Sequence, residues 1–131
     1  MELADAQTCP AWLLPNDGEA GYYQVEYQGD LLKQALADGA THLSAAERVG
    51  VLGDVDLLVG AGETPAGDAL ALVPEFSKDP APQVVQAAAN IASLLKTESV
   101  PGDLRDKGTR FIRQQFGERA MACLLYTSRC V

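Results

Sequence analysis

From Asp30 onward, apolar residues recur at the spacing of an α-helix, and proline and glycine divide the pattern into short stretches. Asp30 is placed to cap a helix that ends near Gly39. Ser44, with Glu47 three residues later, forms a capping box, which predicts a helix to about Gly60. Short amphipathic segments can bury their apolar stripes only against one another, so the pattern predicts helices packed on helices.

Three more helices are predicted from the same signals. Thr64 as N-cap, followed by Pro65 at the first helical position, opens a helix that ends at Pro74. A helix from about 82 to 97 carries an apolar stripe, and a last helix follows the break at 101–103. Short loops are typical of antiparallel neighbours. We therefore expect a mainly α chain, an antiparallel helical array whose helix pairs pack as in a HEAT or armadillo α-superhelix, without a repeat of fixed period.

The first part of the chain has turn and strand signals in place of helical spacing. Prolines at positions 10 and 15 disfavour helix, and Asn16-Asp17-Gly18 is typical of a turn. Residues 11–14 and 21–27, on either side of this turn, predict two short strands, the second with alternating faces. We expect a β-hairpin here, and because two strands alone are marginal in water, it requires a partner sheet.

The sequence offers few groups for catalysis. His42 is the single histidine, so a His-Glu-x-x-His zinc motif is impossible within these 131 residues. The three cysteines form no even set and lack zinc-knuckle spacing. Gly60-Ala61-Gly62 ends a helix rather than opening one after a strand, which excludes a phosphate-binding loop. We therefore expect no catalytic, metal-binding or cofactor-binding residue in this chain.

The charge distribution narrows the choice of partners. The formal net charge is −8, and an acidic body repels the phosphate backbone, which argues against nucleic-acid binding. The basic residues at 105–119 are interpreted as the solvated face of the last helix rather than as a docking site. No apolar run approaches the roughly 20 residues of a membrane span. The N-terminus lacks the pattern of a secretory signal, which slightly favours a cytoplasmic location.

Trp12, Tyr22, Tyr23 and Tyr27 form the densest cluster of aromatic residues. Two interpretations stay open for them. The favoured one is packing of a sheet edge against the first helices, with the hydroxyls hydrogen-bonded. The other is a ligand platform.

The same region resembles a stretch of the aminopeptidase N-like zinc metallopeptidases. The likeness rests on a tryptophan–proline–asparagine turn, a glycine–tyrosine–tyrosine strand and an arginine–aspartate pattern in the second helix: Trp12, Pro15, Asn16, Gly21, Tyr22, Tyr23, Tyr27, Arg48 and Asp54. Gln24 stands where the family usually has arginine, which puts in doubt any salt bridge of that arginine. By sequence alone, Asp54 is otherwise explained by a polar contact between helices.

The resemblance implies a division of the chain and a role for it. In that family a small β-sandwich precedes a long helical C-terminal domain, so residues 1–28 would end the sandwich and residues 29–122 would start the helical domain. Zinc and its ligands would belong to an earlier domain of a parent enzyme, whose remaining domains and peptide substrate would be the partners. We expect a non-catalytic fragment of a zinc aminopeptidase that helps to enclose the peptide-binding cavity. The alternative is an independent helical interaction module.

Residues 123–131 are expected to be foreign to the fold. Cys-Leu-Leu-Tyr-Thr-Ser is one translated frame of a transposase mosaic-end sequencing adapter, and Arg-Cys-Val followed by a stop codon is a frame of its reverse complement. The alternative is a genuine amphipathic C-terminus. Two of the three cysteines lie in this segment and carry no functional weight.

Overall fold

The computed structural model describes residues 10–96 and 100–127 of the chain. Within these ranges the backbone forms five α-helices: α1 Leu31–Ala35, α2 Ala45–Ala61, α3 Ala66–Phe76, α4 Pro82–Ala92 and α5 Gly102–Thr127. Short 3₁₀ turns lie at Asp17–Glu19, Ala37–Ala40 and Ser93–Lys96. The expectation of a mainly helical chain is confirmed, and its arrangement as a superhelix stays a prediction.

The core lies where α2, α3 and α4 pack on one another. In α4 the predicted stripe is buried at Val84, Ala88 and Ile91. The spacing of these three residues places them on one side of the helix, where each contributes apolar area to the core. The largest fully buried side chains are shared among the three helices: Leu52, Val51 and Val55 from α2, Phe76 and Val73 from α3, and Ile91 and Val84 from α4.

The start of α2 forms as its sequence predicts. The backbone N–H of Glu47 donates to Ser44 Oγ over 3.3 Å, and the N–H of Ser44 donates to Glu47 Oε2 over 2.7 Å. This reciprocal pair satisfies two N–H groups that the first turn leaves free. At the other end, Gly62 adopts a left-handed conformation (φ 80°) and ends the helix one residue beyond the predicted stop.

The bounds of α3 differ from the prediction. Its N-cap is Pro65 rather than Thr64, and the helix continues through Pro74 to Phe76. A proline inside a helix removes one backbone hydrogen bond and crowds the preceding turn. Here the ring itself is exposed, while Val73 and Phe76 on either side are fully buried. Burial of these two side chains offsets the lost bond, so packing overrides the local stop signal.

The predicted N-terminal β-hairpin is wrong. No strand forms among the residues that the structure describes, and residues 10–28 make an irregular segment around the turn at Asp17–Glu19. The physical reason is that side chains satisfy the backbone here. The Asn16 amide binds both the N–H and the C=O of Gly21, and Glu47 accepts the N–H of Gly18. Those backbone groups are therefore bonded without a partner strand.

Helix α5 lies against the core along only part of its length. Gly108 is buried, and a Cβ added there would lie 3.3 Å from Leu95 Cβ. Phe111, Ile112 and Phe116 are half-buried against the core. The basic side chains from 105 to 113 are exposed, as expected of a solvated face, whereas Arg119 is half-buried. None of the helices within residues 10–96 and 100–127 combines the length and apolarity of a membrane-spanning helix.

Two predicted boundaries fall partly outside the described residues. The helix expected to reach residue 97 ends as α4 at Ala92 and continues as the 3₁₀ turn to Lys96. The adapter-like segment starts at residue 123, where the backbone of α5 is still helical, and its residues 128–131 lie beyond the described range. The foreign origin of this segment and the division of the chain at residues 28 and 122 stay predictions.

The same substitution at a buried and at an exposed leucine of α2 tests where the core lies. Leu52 is 1% exposed and Leu57 is 54% exposed. We expect Leu52→Ala to lower the free energy of unfolding by about 2–5 kcal/mol, because it leaves a cavity among the helices. Leu57→Ala should change it by less than about 0.5 kcal/mol. Urea denaturation followed by circular dichroism measures both, and equal losses would contradict this core.

Candidate functional site

Asn16 organises the N-terminal segment. It is 5% exposed, and its side chain spans the turn from residue 16 to residue 21. Oδ1 accepts the Gly21 N–H over 2.8 Å, while Nδ2 donates to the Gly21 carbonyl over 3.2 Å and to Glu19 Oε2 over 3.2 Å. A buried amide with donor and acceptor both engaged fixes its loop, since any lost partner would leave a buried polar group unsatisfied.

Tyr23 closes the same turn from the other side. Its hydroxyl donates to the Pro15 carbonyl over 2.8 Å, and its ring covers Gly21. A Cβ on Gly21 would lie 2.1 Å from Tyr23 Cε1, so only glycine permits this approach. The family signature residues from Pro15 to Tyr23 therefore build one turn.

Trp12 packs beside this turn, on the loop that precedes α2. Its ring centroid lies 4.2 Å from that of His42, with the planes tilted by 42°. Trp12 remains 40% exposed and Tyr22 is fully exposed, so neither is core. The favoured packing interpretation is thus met in part: Tyr27 packs against the core, whereas Tyr22 does not.

The N-terminal segment docks on one face of α2 that is formed by Glu47, Gly50 and Asp54. These positions are three and four apart, which aligns them along the helix. Glu47 Oε1 accepts the Gly18 N–H over 3.0 Å, and the backbone N–H of Val25 lies close enough to Asp54 to favour the ionised form of its carboxyl group. Between them the Glu19 carboxyl group lies directly over Gly50, where a Cβ would come within 2.0 Å of it. The predicted helix–helix contact of Asp54 is replaced by this contact.

The ionisable groups on this face influence one another. Burial, and then the charges of Asp54 and Glu47, raise the pKa of Glu19 above its usual range. Burial also raises the pKa of Asp54, and the pKa of Tyr27 rises to about 12 because of burial and of the negative charges of Asp54 and Glu19. The pKa of Glu47 is lowered, because it accepts the backbone N–H groups of Gly18 and Ser44. Each shift has a structural cause and none needs a bound group.

Arg48 points to the opposite side of α2 and pairs with Asp79 in the loop between α3 and α4. Nε lies 2.9 Å from Asp79 Oδ2, as a charge contact rather than an aligned hydrogen bond. Nη2 donates to Oδ1 over 3.3 Å, and Nη1 donates to the Leu43 carbonyl. Asp79 Oδ1 also accepts the Ala81 N–H over 2.8 Å. The pair thus ties the loop before α2 to the start of α4.

Helix α5 contacts the same loop. Arg119 Nη1 donates to the carbonyl oxygens of Asp79 over 2.9 Å and of Ser77 over 3.4 Å. Ser77, which is buried, donates its hydroxyl to Gln115 Oε1 over 3.3 Å. Sequence reasoning missed Asp79 and Arg119 as partners. The available signal was Asp79-Pro80 after a helix, which indicates a turn. It does not indicate which arginine binds Asp79.

The geometry of these residues is that of structural contacts. Asn16, Gly21 and Tyr23 hold one turn together, Tyr27 lies near Asp54 of α2, and Arg48 pairs with Asp79. Across the described ranges, no group of three or more histidine, cysteine, aspartate or glutamate residues is arranged to hold a metal ion. Zinc and its ligands, which the resemblance implies for an earlier domain of a parent enzyme, stay a prediction.

A groove of about 920 Å³ lies between α1 and α3. Leu32, Leu36 and Leu72 contribute its apolar floor, and its rim carries five carboxylates and one amine: Glu26, Asp30, Glu63, Asp68, Glu75 and Lys33. Its lining contains no histidine, cysteine or serine.

Comparison with known proteins agrees with the helical architecture. The chain matches the ERAP1-like C-terminal domain family over residues 12–124 and belongs to that family. It is therefore part of the helical C-terminal region of an aminopeptidase-type protein, as the resemblance at Trp12 to Asp54 predicts. The match begins at Trp12 and thus includes most of the segment assigned above to the end of a β-sandwich. No curated protein and no solved structure gave a significant match.

The role of Asn16 can be tested with a substitution of equal size. Asn16→Asp keeps the acceptor for Gly21 but removes the donor to the Gly21 carbonyl and places a second negative charge beside Glu19. We expect it to destabilise the chain by about 1–3 kcal/mol. Asn90→Asp, on the exposed face of α4, is the matched control and should have little effect. Thermal unfolding of both variants decides, and an equal loss in both would show that Asn16 does not hold the turn.

The Arg48–Asp79 pair predicts a strong and coupled effect. The two side chains are 12% and 8% exposed, so Arg48→Met leaves a mostly buried carboxylate unpaired and should cost about 3–5 kcal/mol. The exposed Arg110→Met serves as control. Asp79→Asn should lower the free energy of unfolding less in the Arg48→Met variant than in the unaltered chain, because the carboxylate that it removes is already unpaired there. Additive losses in urea unfolding would contradict the pairing.

Proposed function

We propose that this chain is a non-catalytic part of a zinc-dependent aminopeptidase and that it helps to enclose the peptide-binding cavity of that enzyme. The observation that carries the proposal is the match to the ERAP1-like C-terminal domain family over residues 12–124. In the metallopeptidases that the signature residues resemble, the helical domain closes over a cavity whose zinc site lies in an earlier domain. The chemistry of such an enzyme is metal-assisted hydrolysis of the N-terminal peptide bond.

The placement of the signature residues favours a structural role for them. They fold the turn from Pro15 to Tyr23 and dock it on α2, rather than converging on a cavity. Residues that hold a turn in place can support an active site whose reacting atoms lie in another domain.

The exposed side chains of the N-terminal segment support a partner on that side. Trp12, Leu13 and Tyr22 are large and exposed, and Tyr23 is exposed over half of its surface. Exposed apolar side chains in one short segment are typical of an interface. The remaining domains of the parent are the partner we propose, with the β-sandwich against this segment.

The purified chain, supplied with zinc, should hydrolyse no aminoacyl reporter substrate. The physical reason is that a single histidine excludes the His-Glu-x-x-His motif of the zinc peptidases that the chain resembles. Fluorescent aminoacyl amides of leucine, alanine and arginine measure this, with a complete zinc aminopeptidase as positive control. Turnover that a chelator abolishes and that follows the chain through purification would contradict the proposal.

A further inference from the structure

Three carboxyl groups meet where the N-terminal segment docks on α2. Glu47 and Asp54 lie one turn before and one turn after Gly50, and the Glu19 carboxyl group rests on Gly50 itself. Glycine at this position allows the close approach, since any side chain would meet Glu19. The docked segment therefore places a third negative charge between two that α2 already carries.

In the part of the chain that the structure describes, no lysine or arginine forms an ion pair with this cluster, and the charge of His42, in the loop before α2, contributes to the lowered pKa of Glu47. The ion pair found there joins Arg48 to Asp79 on the other side of α2. The groups that face the cluster are Glu19 and Tyr27 from the N-terminal segment, Glu47 and Asp54 from α2, and His42 from the preceding loop. Asn16 Nδ2 is a neutral donor to Glu19, and it suits a protonated as well as an ionised carboxyl group.

We propose that this cluster makes the docking of residues 10–28 on α2 pH-dependent, so that the segment is held more tightly at about pH 5 than at about pH 7. Protonation of Glu19 or Asp54 removes the cost of burying a charged carboxylate in the contact, and at Glu19 it also removes a repulsion between like charges. Glu47 stays ionised over the same interval and continues to accept the Gly18 and Ser44 N–H groups. All the groups involved lie in this chain, so the pH dependence of docking does not rest on the proposed function.

The direction of the effect follows from proton linkage. Glu19 and Asp54 have raised pKa values in the docked state, so this state binds protons more readily than the undocked one. Their effect on docking therefore becomes more favourable as pH falls through those raised values. Glu47 has a lowered pKa, so its contribution is present above its ordinary value and is lost only on further acidification. We therefore expect docking to be tightest at pH values between the lowered pKa of Glu47 and the raised pKa values of Glu19 and Asp54.

Amide hydrogen exchange of the full chain, read by NMR, tests the proposal at the two amides that cross the contact. The Gly18 N–H donates to Glu47, and the Val25 N–H faces Asp54. After correction for intrinsic exchange, their protection should rise from about pH 7 to about pH 5, by roughly twofold for each repulsion relieved. The amide of Val55 in the core of α2 provides the reference.

Two substitutions assign the effect to the cluster. Glu19→Gln and Asp54→Asn keep the shapes and acceptor oxygens but remove one charge each. Either variant should show higher protection at neutral pH and a smaller change on acidification. Glu26→Gln, at an exposed position of the same segment, is the matched control and should keep the full response.

Protection that falls or stays constant between the two pH values in the unaltered chain would overturn the proposal. An unchanged response in both Glu19→Gln and Asp54→Asn would also overturn it. Circular dichroism verifies that each variant is folded. If one variant unfolds, the other, together with the direction in the unaltered chain, still decides.

Discussion

The ion pair between Arg48 and Asp79 is the contact on which the arrangement of the helices depends. Both groups are mostly buried, and a buried charge is tolerated only when it is paired and hydrogen-bonded. Arg48 also binds the Leu43 carbonyl, and Asp79 also accepts the Ala81 N–H. The loop before α2 and the start of α4 are therefore held by a single pair. Arg119 adds α5 to the same place through the Asp79 carbonyl.

Helix α2 serves three separate contacts with three of its faces. Val51, Leu52 and Val55 face the core, and Arg48 reaches toward α4. The face formed by Glu47, Gly50 and Asp54 receives the N-terminal segment. A helix used on all sides has little amphipathic pattern. This explains why its start was clear from the capping box while its tertiary contacts were not.

Much of the helical part could be predicted from the sequence, because its signals are local. The Ser44–Glu47 capping box and the stripe of α4 depend on residues within one or two turns. The errors arose where distant contacts decide. Pro74 does not end α3, because Phe76 beyond it is buried in the core. Residues 11–14 and 21–27 form no hairpin, because Asn16 and Glu47 bind backbone groups of this segment.

The signature residues were found by resemblance, but their roles required the structure. Asn16, Gly21 and Tyr23 build a turn, and Asp54 receives it on α2. The pairing of Arg48 with Asp79, 31 positions away, has no local signal in the sequence. Membership of the ERAP1-like C-terminal domain family makes the chain part of the helical C-terminal region of an aminopeptidase-type protein, and we propose that it acts there as a supporting unit.

Complementation tests this account most directly. The upstream part of the parent enzyme, produced without these residues, would be assayed on a peptide of about ten residues with and without the separately purified chain. We predict that the chain binds the upstream part and changes its rate of peptide cleavage, while contributing no turnover of its own. Absence of binding, together with an upstream part that is fully active alone, would contradict the account.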